Sequence, residues 1–191
     1  AGARVYQKAW ADDFAAPRNE ALAHATGDWI LQLDADERLA PGAGRALRRA
    51  ARRGGFDMGM LRLHDARRLD AAADDVLSGR QRIGAPVRVP RLMRRTPDLA
   101  YRGVVHESVE EWFVRRGLRF AVLDVDVVHL GAVPELRRAL GKRRRNVALL
   151  ERRCREEPDS ITPLGFLAVE YLEEGRVAEA RAVAERGWRI L

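Results

Sequence analysis

The sequence predicts a mixed α/β module followed by an all-helical tail. Three observations lead there. Short apolar runs of strand character alternate with helical spacing from residue 1 to about residue 132. From Pro134 onward the apolar residues fall at helical intervals and no strand-like run recurs. The changeover follows the most strand-like run of the chain, "LRFAVLDVDVVHLG", which ends at His129 and Gly131. Strands mixed with helices and then helices alone make two modules, 1–132 and 133–191.

The elements follow in order. "ARVYQKAW" reads as an opening strand, so the chain begins without Met in mid-strand, and a fragment that has lost its first segment is the expectation. Asp12 and Asp13 can cap the next helix, which carries Phe14, Leu22 and Ala25 at helical spacing and ends at Gly27. Pro17 falls in its first turn or so, where proline is tolerated. A strand over 28–33 runs into an acidic turn, and Pro41 opens a second helix that Gly54 and Gly55 end. Residues 56–63 read as a strand and 65–85 as a long loop of the kind that carries specificity. A short strand over 87–93 is interrupted by Pro90, which predicts an edge or a bulge. "YRGVVHESVEEWFVRRG" turns from strand into helix near His106 and Glu107. In the tail, one helix runs from Pro134 to Glu157 with Leu136, Leu140, Val147 and Leu150 on a stripe, and two more are broken at Gly175.

Composition bounds the function. The chain has 191 residues, 47% hydrophobic, enough for a real core, and a net charge of +7. Lys8 and Lys142 are the only lysines, so the positive charge is almost all arginine. Arg- and Ala-heavy usage reads first as GC-rich coding sequence and only second as a polyanion-binding face. The run from Lys142 to Arg145, with Arg152, Arg153 and Arg155, has little aromatic interleaving, so a solvated helix face is expected and no nucleic acid. Peripheral contact with an anionic membrane or a phosphate-bearing lipid-linked acceptor is the secondary reading. Cys154 is alone, which excludes a disulfide framework and a Cys-based zinc site. No apolar run approaches the ~20 residues that cross a bilayer. A cytoplasmic location, at most at the inner face of a membrane, is the expectation.

The chemistry concentrates in "GDWILQLDADERL", where an apolar run drives into Asp34, Asp36 and Glu37. Crowded carboxylates repel one another, so either a cation offsets them or they face water. Asp34 and Asp36, two apart, point to one side if the backbone is extended. At a strand's carboxyl end they sit where open α/β sheets bind ligands. Two hard oxygen ligands suit Mg²⁺ or Mn²⁺ held jointly with a substrate's phosphates. The competing reading is that one of them only caps the turn before Pro41.

The surroundings weigh in. "WADDFAAPRNEALAHATGDWILQLDADERL" resembles family-2 glycosyltransferases of GT-A fold, in particular the bacterial subgroup related to lipopolysaccharide-core glucosyltransferases of cell-envelope polysaccharide synthesis. The resemblance continues through "VRVPRLMRRTPDLAYRGVVHESV" and "VVHLG". It implies a partial GT-A, Rossmann-like mixed sheet and an inverting, metal-dependent transfer of a sugar from a nucleotide-diphosphate donor, a UDP-sugar above all. The acceptor would be a saccharide, a lipid-linked glycan or a peptide. On the matched positions, Asp36 would ligate the metal directly and Asp34 would contact the ribose or the metal. His129 would complete the metal site, and Glu107 would be the general base. Arg18 and Asn19 would lie near the diphosphate, Gly103 near the donor sugar, and Arg91 would bind donor or acceptor. Bland readings stand beside these: Glu107 as a surface acid with Asp124 or Asp126 as the base, His106 and His129 as structural histidines, His24 and His64 as surface residues.

The family's "V.V.N.E" and "D.GS.D" segments, which bind the uridine, do not occur in the sequence. The expectation is therefore a sheet lacking two strands between "ARVYQKA" and "DWILQLD", with an open, aggregation-prone edge and no affinity for UDP. In the tail, Leu167, Ala168, Tyr171, Gly175 and Ala180 resemble the spacing of a tetratricopeptide repeat. This implies a protein partner for the helices. The alternative function is an interaction module in which the α/β part is only a scaffold.

Overall fold

The computed structural model describes residues 2–133 and 142–191. Its elements in chain order are α1 (Ala15–Ala23), β1 (Trp29–Leu31), β2 (Glu37–Leu39), α2 (Ala43–Arg53), β3 (Met58–Asp65), α3 (Ala73–Leu77), β4 (Val87–Arg94), α4 (Glu110–Arg115), β5 (Phe120–His129), α5 (Lys142–Glu156), α6 (Ile161–Glu173) and α7 (Val177–Trp188). A mixed α/β arrangement and three C-terminal helices are both present, as the sequence predicts. The chain forms two compact units. The first comprises Ala1–His24, Ala100–Glu111 and Gly141–Leu191, and the second Ala25–Leu99 and Trp112–Leu140.

The second unit is built on one five-stranded sheet of order β1-β4-β3-β5-β2. Only β3 and β5 are parallel; the other pairs are antiparallel. β1 and β2 occupy opposite edges, yet only residues 32–36 join them. Four inter-strand spacings amount to ~19 Å, which this link could cover only if nearly straight, at about 3.3–3.6 Å per residue. The link is not straight, because the Glu37 amide donates to the Asp34 carbonyl at 2.9 Å and closes a turn. The sheet therefore curls, which brings its edges together at the acidic segment.

Alternation along the strands fills both faces. Leu61, Leu63, Leu92, Val125 and Val127 pack against Ala43 and Leu47 of α2, whose five arginines all face water. Val128 and Leu130 turn the other way and pack with Ala66 and with Val76 of α3. Trp112 is fully buried, its indole N–H donating to Thr96 Oγ1 at 2.8 Å.

β4 is an interior strand, and Pro90 sits in it at a bulge, one of the two settings expected for it. Gly59 faces Leu92 and Met60 faces Pro90, so Arg91 is the extra residue. Two sequence expectations are corrected in this unit. His64, expected at the surface, is 5% exposed between Asp126 and Arg82. The long loop contains the short helix α3. As for the edge, β1 pairs only with β4, and Leu31 and Leu33 are exposed.

The first unit holds α1, the 100–111 segment and the three C-terminal helices. The opening stretch expected as a strand forms no strand among the described residues. Tyr6 instead stacks on His24 at 3.7 Å, and Trp10 meets Phe14 edge-on, so rings rather than a ladder tie it down. Asp13 accepts the Ala16 amide at 3.0 Å and so caps α1 as expected. Val147, Leu150 and Cys154 of α5 pack with Leu164, Leu167 and Tyr171 of α6 and Ala180 of α7. The repeat-like residues are thus the inner face of the hairpin, with Gly175 in its turn. The expected helix over 134–157 is described from Lys142 onward; Leu136 and Leu140 lie outside the described residues. Arg153, expected on a solvated face, is buried.

Candidate functional site

The acidic segment has the cation that its charges require. Arg91 forks onto the Glu37 carboxylate, Nε to Oε2 at 2.9 Å and Nη2 to Oε1 at 2.5 Å, and reaches Asp34 at 3.7 Å. The bulge that leaves Arg91 unpaired on β3 frees its side chain for this reach. Glu37 also accepts the Asp34 amide, so the most buried of the three carboxylates is a structural clamp. Arg91, expected on donor or acceptor, is committed to that clamp.

With Glu37 neutralised, Asp34 and Asp36 part company. The turn replaces the extended spacing expected for them: Asp34 faces Gln32 and Arg91, whereas Asp36 faces His129. Asp36 Oδ2 lies 3.6 Å from His129 Nε2, too far for a hydrogen bond. On the ring's other side, His129 Nδ1 meets Asp65 Oδ1 at 2.7 Å. β3 and β5 are parallel and in register here, Asp65 opposite His129, so both side chains emerge on one face at the strands' carboxyl ends. The hydrogen bond to Asp65 raises the imidazole's pKa; burial opposes it, and the charges of Asp36, Asp65 and Glu37 add to it.

Asp36 and His129 close over Gly131, an approach that only glycine permits. A Cβ at that position would fall 2.1 Å from Asp36 Oδ2 and 2.6 Å from His129 Nε2. One carboxylate and one imidazole nitrogen thus converge to 3.6 Å of each other against bare backbone. Among the described residues no cluster of three or more His, Cys, Asp or Glu side chains could hold a metal alone. Two protein donors nonetheless fit Mg²⁺ or Mn²⁺, which leave much of their shell to water and phosphate.

The remaining sequence-predicted residues lie in the first unit, on α1 and the 101–108 loop. Arg18 Nε and Glu107 Oε1 form a tight ion pair, both side chains mostly buried. Asn19 clasps the backbone of Tyr101, accepting its N–H at 2.7 Å and donating to its carbonyl at 3.0 Å. An isolated bridge between Arg102 and Ser108 closes the loop. Gly103 has φ +94°, and a Cβ there would lie 2.4 Å from the Arg153 guanidinium carbon. Arg153 in turn donates to the carbonyls of Val105 (2.8 Å) and His106 (3.2 Å). His106, at φ +48°, stacks on Phe166, and its Nε2 is buried without a partner among the described residues. Burial above all lowers its pKa; Arg153 adds to this and Glu107 opposes it.

Sequence reasoning missed Asp65, Gly131, the Arg91–Glu37 clamp and Arg153. For Asp65 a signal existed, since "RLHD" and "VVH" both end strands in a histidine or carboxylate, but their pairing is a tertiary fact. The bases held in reserve are differently placed: Asp126 is bound by Arg62 and His64, and Asp124 is exposed.

Comparison with known proteins bears on the family and the fold. The model of Glycosyl transferase family 2 matches residues 1–68, which include Arg18, Asn19, Asp34, Asp36 and Asp65. The chain is also similar to a TPR repeat-containing protein from Synechococcus elongatus, 37% identical over 111 residues. That match covers 58% of this chain and 24% of that protein, so the chain spans about a quarter of its relative's length. The α/β unit and the three helices are consistent with a partial GT-A fold followed by a helical tail. No helix among the described residues is long and apolar enough to cross a membrane.

Proposed function

We propose that this chain is the metal- and acceptor-side part of an inverting glycosyltransferase that uses a nucleotide-diphosphate sugar. The observation that carries the reading is the approach of Asp36 to His129 Nε2 over Gly131, with His129 at the carboxyl end of the parallel β3–β5 pair. Asp36 and His129 would hold Mg²⁺ or Mn²⁺, with Asp34 beside them. The bound cation would neutralise the diphosphate leaving group. Glu107 would accept the proton of the acceptor hydroxyl while its oxygen bonds to the anomeric carbon and the bond to the diphosphate breaks. Arg18 would hold that carboxylate in place, and Arg153 would fix the loop that carries it. The family match favours a nucleotide-sugar donor in general, and a UDP-sugar is the first to test.

The test is release of UDP from UDP-sugars by the protein, with Mn²⁺ and an acceptor. Glu107→Gln is expected to lower kcat about 10²–10⁴-fold with the KM for donor little changed, the pattern of a group used only in the transition state. Near-normal turnover in Glu107→Gln would move the base elsewhere. No turnover with any nucleotide sugar would favour the second reading, an interaction module. The exposed Phe166, Val169 and Leu172 of α6 are the feature that speaks for it.

A further inference from the structure

We infer that Asp65 is a positioning residue, which holds His129 in the one tautomer that turns a lone pair toward Asp36 over Gly131. The inference rests on the proposed metal site and adds to it a residue on a different strand.

The chemistry is set by which ring nitrogen carries the proton. A neutral imidazole has one N–H and one lone pair, and an ionised carboxylate can only accept. Asp65 Oδ1 lies 2.7 Å from His129 Nδ1, so the proton of that contact belongs to Nδ1. Nε2 is then the lone-pair nitrogen. Its nearest carboxylate, on Asp36, is 3.6 Å away, beyond hydrogen-bond range, so nothing there holds a proton on Nε2. Both groups instead lie against Gly131, within 2.1 and 2.6 Å of where a Cβ would stand. A histidine that ligates a metal through one nitrogen usually donates its other N–H to a carboxylate or carbonyl, which fixes the ring and raises its basicity.

The backbone makes the arrangement stiff. Asp65 and His129 are the last residues of β3 and β5, directly opposite in a parallel pair. The Ala66 amide donates to the His129 carbonyl at 2.8 Å, and the Leu130 amide donates to the Asp36 carbonyl at 2.8 Å. The three side chains therefore sit on a backbone whose register is locked on both sides of His129. Asp65 touches the ring nitrogen opposite the one nearest Asp36, so it acts through His129 and not on a ligand.

The experiment reads the tautomer itself. Long-range ¹H–¹⁵N spectra of the ¹⁵N-His-labelled, metal-free protein at alkaline pH are expected to show His129 with a protonated Nδ1 and a bare Nε2. Asp65→Ala should shift His129 toward the Nε2–H form or a mixture and weaken Mn²⁺ binding about 10–100-fold. Asp65→Asn keeps an accepting oxygen, so it should restore the Nδ1–H form and much of the affinity; it also serves if the alanine variant does not fold. A wild-type ring protonated on Nε2, or ring shifts unchanged in Asp65→Ala, would overturn the inference. A wild-type Nδ1–H form that Asp65→Ala abolishes, in a protein that binds no Mn²⁺, would support the positioning role and contradict the metal reading.

Discussion

Arg91→Ala is expected to destabilise the sheet unit by about 3–5 kcal/mol, as removal of one partner from a buried ion pair does. The Glu37 side chain is 2% exposed and receives both arms of the guanidinium. Without them a carboxylate remains in the protein interior, its one other hydrogen bond among the described residues coming from the Asp34 amide. It must then ionise at high cost or take up a proton. The loss should be largely reversed by Arg91→Ala combined with Glu37→Gln, since the second change removes the stranded charge. Urea denaturation of the two variants checks this. A loss below about 1 kcal/mol in the single variant, the range of exposed ion pairs, would mean that the clamp is a surface contact. The clamp also answers why an apolar strand can run into three carboxylates: Arg91 holds Glu37 and reaches Asp34, and Asp36 faces His129.

Gly103→Ala carries the second large effect, expected at roughly 2–4 kcal/mol from backbone strain plus lost hydrogen bonds. Its φ of +94° is one that L side chains rarely adopt, and the added methyl meets the Arg153 guanidinium at 2.4–2.9 Å. Arg153 cannot yield cheaply, because it supports the carbonyls of Val105 and His106 from a buried position. The strain and the collision are separable. In an Arg153→Ala background the methyl has room, and Gly103→Ala should then cost only the strain, about 1–2 kcal/mol. A double-mutant cycle by thermal unfolding reads this coupling; purely additive losses would contradict the contact.

Much of the fold was legible because local patterns agreed with it. The alternation in "LRFAVLDVDVVHLG" matches a strand whose successive valines bury on opposite faces, Val127 against α2 and Val128 against α3. Leu167, Tyr171 and Ala180 pack inward as the repeat spacing implied. The opening segment was misread because "ARVYQKAW" has strand composition but no strand beside it. Pro90 marks an edge or a bulge in the sequence, and which of the two holds is set by the β3–β4 register, a tertiary fact. His64 and Arg153 look like surface residues in a sequence; each is buried because a distant partner satisfies it, Asp126 for one and two loop carbonyls for the other. The candidate metal site was legible in Asp36 and His129 because carboxylates and histidines at strand ends are conspicuous. Asp65 and Gly131 were not, since one acts through a strand register and the other by occupying no space.

The most direct test of the account is titration of Mn²⁺ into the purified chain, followed by electron paramagnetic resonance. One bound ion per chain is predicted, lost in Asp36→Ala and in Gly131→Ala, whose methyl would collide with both Asp36 and His129 and push them apart. Binding of Mn²⁺ that survives both substitutions, or no binding by the wild-type chain in the presence of UDP-sugar, would contradict it.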